Sequence, residues 1–295
     1  MIGLKNKQKR NDFIFCFSIL IPVMVLFAII RFIPIIETIV ISFFKKNMIR
    51  PGMKFIAFDN YEYILTDAEF GKALWHTFII AFFSVVLSVV FGLFLASVVN
   101  TKRKGMKLWQ AILFLPVIVS MVPSTLMWKM LFDYNVGFIN SIINFFGGKS
   151  INWINNEKII AIPIIVVSVW KEMGYNMMIF YVGLKTVPKE LYESADLDGA
   201  NRFQKLHSIT IPQIRPITLF VVVMSLIKFI KVFTQAITMT SGSQSSGNIY
   251  KTIVYYIYQQ GFQMHSMGRS SAASVVLLII IMVLTAIQMR INKEE

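Results

Sequence analysis

The residues of this chain with chemical potential are few and widely separated. Lys171 and Glu172 are adjacent, Lys228 and Lys231 lie one helical turn apart, and all four interrupt long hydrophobic runs. Gly147-Gly148-Lys149-Ser150 ends like a phosphate-binding loop. Asp198-Gly199-Ala200-Asn201-Arg202 would open a metal-held phosphotransfer site acting on lipid. Each enzymatic reading fails on spacing. The first glycine of a phosphate loop belongs at position 143, which is Ile143, and no strand precedes it. Metal-held phosphotransfer needs further aspartates downstream, and Asp198 is the last in the chain. His76, His207 and His265 are far apart and lack the spacing of a metalloprotease. A single cysteine, Cys16, allows neither a disulfide framework nor a cysteine metal site. The chain is expected to perform no bond chemistry and to bind no ATP itself.

The intramembrane charges ask a different question. A charge at membrane mid-depth costs at least about 2.5–3.5 kcal/mol on insertion scales, so it faces a cavity or a partner. Ser168, Glu172, Tyr175 and Asn176 recur at helical spacing along one face, as do Ser225, Lys228, Lys231, Gln235 and Thr238. Two polar stripes on consecutive spans describe a wet pathway. The competing reading is a structural network, with Glu172 paired to one lysine and the other lysines neutralised by a partner subunit.

The elements that must carry these stripes are membrane spans. The chain is 56% hydrophobic and 15% charged, where soluble domains carry roughly 25% charged residues. Its mean hydropathy is +0.65. Runs near 20 uncharged residues recur, the length that crosses a bilayer. The expected fold is an all-α membrane protein with six spans, within 13–44, 73–101, 108–128, 159–184, 217–240 and 270–289. The first is too long to stand perpendicular and is expected to tilt or protrude. A short interfacial helix is expected over 140–146. Residues 1–12 form a basic N-terminus, with no cleavage site after it. Residues 13–290 form one transmembrane domain, and 291–295 a tail.

The net charge of +14 does not indicate nucleic-acid binding, because the basic residues flank apolar runs and so encode topology. The N-terminus, the 100–107 turn, the 185–216 loop and the tail hold 15 Lys/Arg, against 9 in the three opposite segments. Both termini and the 185–216 loop are therefore expected on the cytoplasmic side of the cell membrane.

That loop is polar, charged and helix-prone. Pro188 stands near a helix start, acidic residues occupy the early turns, and Gly199 can end or bend the helix before a second short one at 201–207. Pro212 and Pro216 punctuate entry to the next span. In sequence it resembles the EAA loop of permease subunits of binding-protein-dependent ABC importers. Glu193, Ala195, Asp198, Gly199, Ala200, Ile209, Pro212 and Pro216 match that pattern, while Ser194, Leu206 and Ile211 are conservative departures. Along nearly the whole chain the likeness is to the sugar-type branch related to maltose and glycerol-phosphate permeases. Asp59-Asn60-Tyr61, Phe91-Gly92-Leu93 with Ala96, Leu115-Pro116, Trp128, Gly137–Asn140 and Gly268 with Ser271, Ala272 and Ser274 carry it. His76-Thr77 stands where Asn-Thr is usual, and Thr234 where an acidic residue often follows Phe233.

The resemblance implies a type I importer permease fold whose EAA loop is a coupling helix seated in a cytoplasmic ATPase. It implies a second permease subunit, two ATPase subunits that hold ATP and magnesium, an extracytoplasmic solute-binding protein and surrounding membrane lipid. It makes spans four and five the lining of the route, with Trp170 and Phe233 where aromatics can stack on sugar rings, beside Lys171, Glu172, Tyr175, Asn176, Lys228, Lys231 and Gln235. The runner-up is a stand-alone secondary transporter or channel. That class often carries inverted repeats and helices broken at the midplane, and the sequence shows neither.

Overall fold

A computed structural model describes residues 2–101, 104–240 and 250–291, with side chains from residue 15 onward apart from those of 288 and 291. Its secondary structure is almost entirely helical. In chain order, α1 (Ile2–Phe27) continues through a π-turn (Ala28–Phe32) into α2 (Ile33–Ile41). A two-stranded ribbon follows, β1 (Phe44–Lys46) pairing antiparallel with β2 (Met53–Phe55). Then come α3 (Asp59–Thr66), α4 (Ala68–Val99), α5 (Met106–Ile118), α6 (Met121–Leu131) and α7 (Phe138–Phe145). The second half holds α8 (Ala161–Thr186), α9 (Lys189–Leu197), α10 (Arg202–Lys205), a π-turn (Leu206–Thr210), α11 (Ile211–Gln213) and α12 (Arg215–Ile230). It ends with α13 (Thr234–Thr240), α14 (Ile253–Tyr258), a π-turn (Gln259–Gln263) and α15 (Met267–Ile291).

Contacts divide the chain into two compact units, residues 1–66 with 257–276, and residues 67–256 with 277–295. Among the described residues, three helical stretches are long and apolar enough to cross a membrane by themselves: Phe15–Ile41, Ala68–Val99 and Met267–Ile287. Two bent pairs, α5 with α6 and residues 202–213 with α12, bring the number to five if each is one span. The 26-residue α8 is long enough but carries Lys171, Glu172 and Asn176 near its centre, which lower its hydropathy.

Two expected spans are not continuous helices. The third, over 108–128, breaks between Ile118 and Met121, where α5 and α6 meet at 99°. Pro116 removes a donor near the end of α5, Val119 and Ser120 turn extended, and Pro123 fits the first turn of α6. The fifth, over 217–240, breaks at 231–233, so α12 and α13 are separate helices. The expectation of unbroken helices is corrected at both places. The short helix expected near 140–146 is α7. Gly147, at φ +81°, closes it, and the Gly148 amide donates to the Ile143 carbonyl at 2.9 Å. The stretch that mimics a phosphate loop is thus a helix C-cap.

The larger unit is organised around α8, which lies along α4 and also meets α5, α6, α12 and α13. Its core joins Ala96 and Val99 of α4, Met177, Phe180 and Leu184 of α8, and Ile214 and Val221. Gly92 lets α4 and α8 cross closely, because a Cβ there would stand 2.7 Å from the Asn176 Cβ. Elsewhere on α4, exposed Trp75, Phe78 and Phe82 stack in series, with centroids 5.7 and 6.0 Å apart.

Candidate translocation cleft and coupling loop

The polar stripe of α8 meets the end of α12 in a cleft of about 520 Å³. Ser168, Lys171, Glu172 and Tyr175 line it from α8, and Lys228 from α12. Lys231 and Phe233 line it from the α12–α13 break, and Gln235 from the first turn of α13. That break explains the clustering. A continuous helix would carry Lys228 and Gln235 upward along one line, whereas ending α12 at Ile230 turns the next residues into the same space.

Within the cleft the charges are unequal. The Glu172 carboxylate is 4% exposed and accepts an ion-paired hydrogen bond from Lys228, whose side chain is 51% exposed. Lys228 also stands 6.0 Å from the ring centroid of Tyr175. Lys171 donates to the carbonyls of Pro116, at 2.9 Å, and Val119. Those carbonyls belong to the break after α5, so Lys171 satisfies backbone groups that the bend leaves open. Lys231 has no ion pair among the described residues and is exposed to the cleft.

Two residues expected on the pathway lie off the lining. Asn176 is 1% exposed and donates to Ser225 Oγ at 3.2 Å, tying α8 to α12. Trp170 packs edge-on against Trp128 with centroids 5.8 Å apart. Phe233 stays on the lining and stacks against Tyr255 at 6.4 Å. The departure at His76 has a visible use. His76 pairs with the Lys251 carbonyl at 3.1 Å and stacks on Tyr250 at 3.8 Å. Thr77 Oγ1 accepts the Ile253 amide at 2.8 Å, so the pair anchors the 250–253 segment.

The 185–216 loop folds as two short helices joined at Gly199. The Gly199 amide donates to the Asp196 carbonyl at 3.2 Å and the Ala200 amide to the Ala195 carbonyl at 2.9 Å. This double bond pattern with Gly199 at φ +73° is a Schellman cap on α9. Asn201 and Gln204 then form a reciprocal capping box that starts α10. An ion pair between Lys205 and Asp196 ties the two helices, and Tyr192 Oη lies 2.9 Å from Thr210 Oγ1. Ala195, Asp198, Gly199, Ala200 and Ile209 line a shallow depression of about 320 Å³. Glu193 and Pro212 are exposed, and Leu197 and Phe203 project with 91% and 76% exposure. Those two apolar side chains lie outside the motif pattern. Apolar residues at 197 and 203 flanking a polar turn were the signal available.

Residues 88–294 match the family of binding-protein-dependent transport system inner membrane components. The chain belongs to that family. It is a permease subunit of an ABC importer, in the branch that contains sugar permeases, and not an enzyme. The permease is 33% identical to the arabinooligosaccharides transport system permease protein AraP of Bacillus subtilis, over 92% of this chain and 86% of that one. It is 30% identical to the sn-glycerol-3-phosphate transport system permease protein UgpA of Escherichia coli, over 80% of each. Among solved structures, a bacterial ABC transporter involved in import of the acidic polysaccharide alginate matches its fold with a TM-score of 0.81 at 24% identity, over 97% of this chain and 98% of that one. Family membership sets aside the stand-alone transporter. The supposed absence of broken helices, offered against that alternative, does not hold, since two of the expected spans are broken.

Proposed function

We propose that this permease forms half of the translocation route for a carbohydrate delivered by an extracytoplasmic binding protein, and that an acidic or phosphorylated sugar suits it better than a neutral oligosaccharide. The carrying observation is the cleft at the α12–α13 break, where Lys171, Lys228 and Lys231 face a single carboxylate, Glu172. Glu172 neutralises Lys228 and backbone carbonyls occupy Lys171, so Lys231 is the cation left for solute. Relatives named for arabinooligosaccharides and for glycerol-3-phosphate support the solute class and bracket the charge question. Phe233 and Tyr175 supply aromatic surface beside that cation.

In this reading six spans cross the membrane: α1–α2, α4, α5–α6, α8, α12–α13 and α15, with 13–290 acting as one transmembrane domain and both termini cytoplasmic. The loop 185–216 is the coupling element, with Glu193, Ala195, Asp198, Gly199, Ala200, Ile209 and Pro212 placed against an ATPase subunit. ATP and magnesium belong to two such partners, and a second, different permease subunit completes the route.

Uptake by the reconstituted transporter tests the charge assignment. Lys231→Gln should reduce uptake of an acidic oligosaccharide at least about tenfold relative to a neutral one, the equivalent of one charge-assisted contact of about 1.4 kcal/mol. ATPase activity and assembly should persist. Equal effects on both sugars would assign Lys231 to structure or subunit pairing.

A further inference from the structure

Past the translocation cleft, near the end of α8, the larger unit holds a second pocket of about 850 Å³. Its charged lining residues are all lysines. Lys104 lies just before α5 and Lys107 in its first turn, Lys185 is in the last turn of α8, and Lys189 opens α9. No carboxylate lines the pocket among the described residues, and none of the four lysines is ion-paired there. Lysines at the ends of spans are ordinary markers of topology. Markers of that kind have no reason to share a cavity. Here separate segments bring them to one, where like charges repel and nothing in the lining offsets the repulsion.

Three further features of the lining go with the charge. Its floor is apolar, since Val99, Leu184 and Val187 are buried and all belong to the core of the unit. The 13-residue α5 starts in the lining at Gly105, and no side chain caps it. Uncapped first-turn amides carry partial positive charge, which suits an oxyanion. Lys185 Nζ stands 4.2 Å from the ring centroid of Tyr181, a contact that steadies the ammonium without neutralising it. Several ammonium groups around one cavity suit a phosphate, whose oxygens accept more than one charge-assisted hydrogen bond. The pocket is larger than a bare phosphate needs, and its apolar floor accommodates the rest of an ester.

We propose that Lys104, Lys107, Lys185 and Lys189 form a binding site for a phosphate ester, with the phosphate among the ammonium groups and the apolar part over Val99, Leu184 and Val187. In the proposed orientation these helix ends lie on the cytoplasmic side. A phosphate there can come from an anionic lipid headgroup or from a soluble ester.

The test is lysine footprinting of the purified, delipidated and assembled transporter in dodecyl maltoside micelles, which contain no phosphate and expose both faces of the protein. Acetylation of each lysine by an amine-reactive ester is followed by peptide mass spectrometry, with Lys149 as the reference. All four lysines should acetylate readily in micelles alone. Phosphatidylglycerol in the micelle or millimolar inorganic phosphate in solution should slow them about fivefold or more relative to Lys149, as for ammonium groups held in charge-assisted bonds. Protection by the lipid alone assigns a headgroup, and protection by inorganic phosphate assigns a soluble ester. Lys104→Gln/Lys107→Gln should abolish the protection of Lys185 and Lys189 with the unfolding temperature unchanged, and Lys104→Arg/Lys107→Arg should keep it. Failure of both probes to protect would overturn the proposal, as would protection of Lys185 and Lys189 that survives in the glutamine variant. Slow acetylation of all four lysines before any probe is added would overturn it in favour of a partner subunit covering the pocket.

Discussion

Glu172 and Lys228 form one ion pair with two very different exposures, 4% and 51%. Removing either partner breaks the same contact but leaves different remnants. Lys228→Gln strands a buried carboxylate, and an unpaired buried charge costs about 3–5 kcal/mol. Glu172→Gln leaves an ammonium that reaches the cleft and its water, at a cost nearer the ~1 kcal/mol of an exposed pair. Thermal unfolding of the purified permease should therefore show a markedly larger drop for Lys228→Gln, and the double variant should recover part of it. Equal losses would mean that the carboxylate is hydrated as well. At this scale the sequence was readable where geometry is local. Ser168, Glu172 and Tyr175 share a helical face, and all three line the cleft. Trp170 lies two residues from both Ser168 and Glu172, about 200° round the helix, and spacing alone argues against it. Asn176 shares the face, yet Ser225 of α12 covers it, and no local pattern in α8 reports a neighbouring helix.

Breaks and caps, rather than the helices themselves, decide what the elements do. Pro116, Ser120 and Pro123 within eight residues were a legible stop and restart, but the hydrophobic run through them reads as one span. What makes the break tolerable is Lys171, fifty-two residues after Val119. Long-range compensation of that kind leaves no periodicity to detect. The turn at Gly199 is the opposite case, because its cap is built from neighbours and the Asp-Gly-Ala sequence announces it. A Cβ at Gly199 would meet nothing within 4 Å, so its constraint is the backbone, at φ +73°. A left-handed backbone costs an ordinary L-residue about 1–2 kcal/mol, and Asn tolerates it better. If the junction transmits ATP hydrolysis, coupled uptake should fall in the order Gly, Asn, Ala, Val at position 199, with the membrane fold and basal ATPase activity retained. A ranking that followed side-chain volume instead, with Ala equal to Gly, would show that space rather than conformation matters there.

For the molecule as a whole, hydropathy is blind to the helix that matters most. The three stretches that pass as spans have 0%, 33% and 17% of their apolar windows buried within the chain, so they are the ones whose sides face outward. The helix α8 is packed on several sides and carries the polar stripe, and it fails for that reason. A bundle that turns apolar faces to lipid and polar faces to a route will always score its central helix lowest. Whether α8 crosses the membrane has a sharp consequence, because α5–α6 and α8 are the only candidate crossings between residues 104 and 204. With both crossing, Lys104 and Gln204 share a side and Asn155 lies opposite. Without α8, Gln204 joins Asn155. Single cysteines at these three positions, in a Cys16→Ser background, should therefore divide two to one against an impermeant thiol reagent applied to intact cells. Asn155→Cys should label, while Lys104→Cys and Gln204→Cys should label only after permeabilisation. The proposed orientation makes that side cytoplasmic, in keeping with the basic residues flanking 104 and 204. Labelling of Gln204→Cys from outside, with Lys104→Cys protected, would remove α8 from the spans and the proposed route with it.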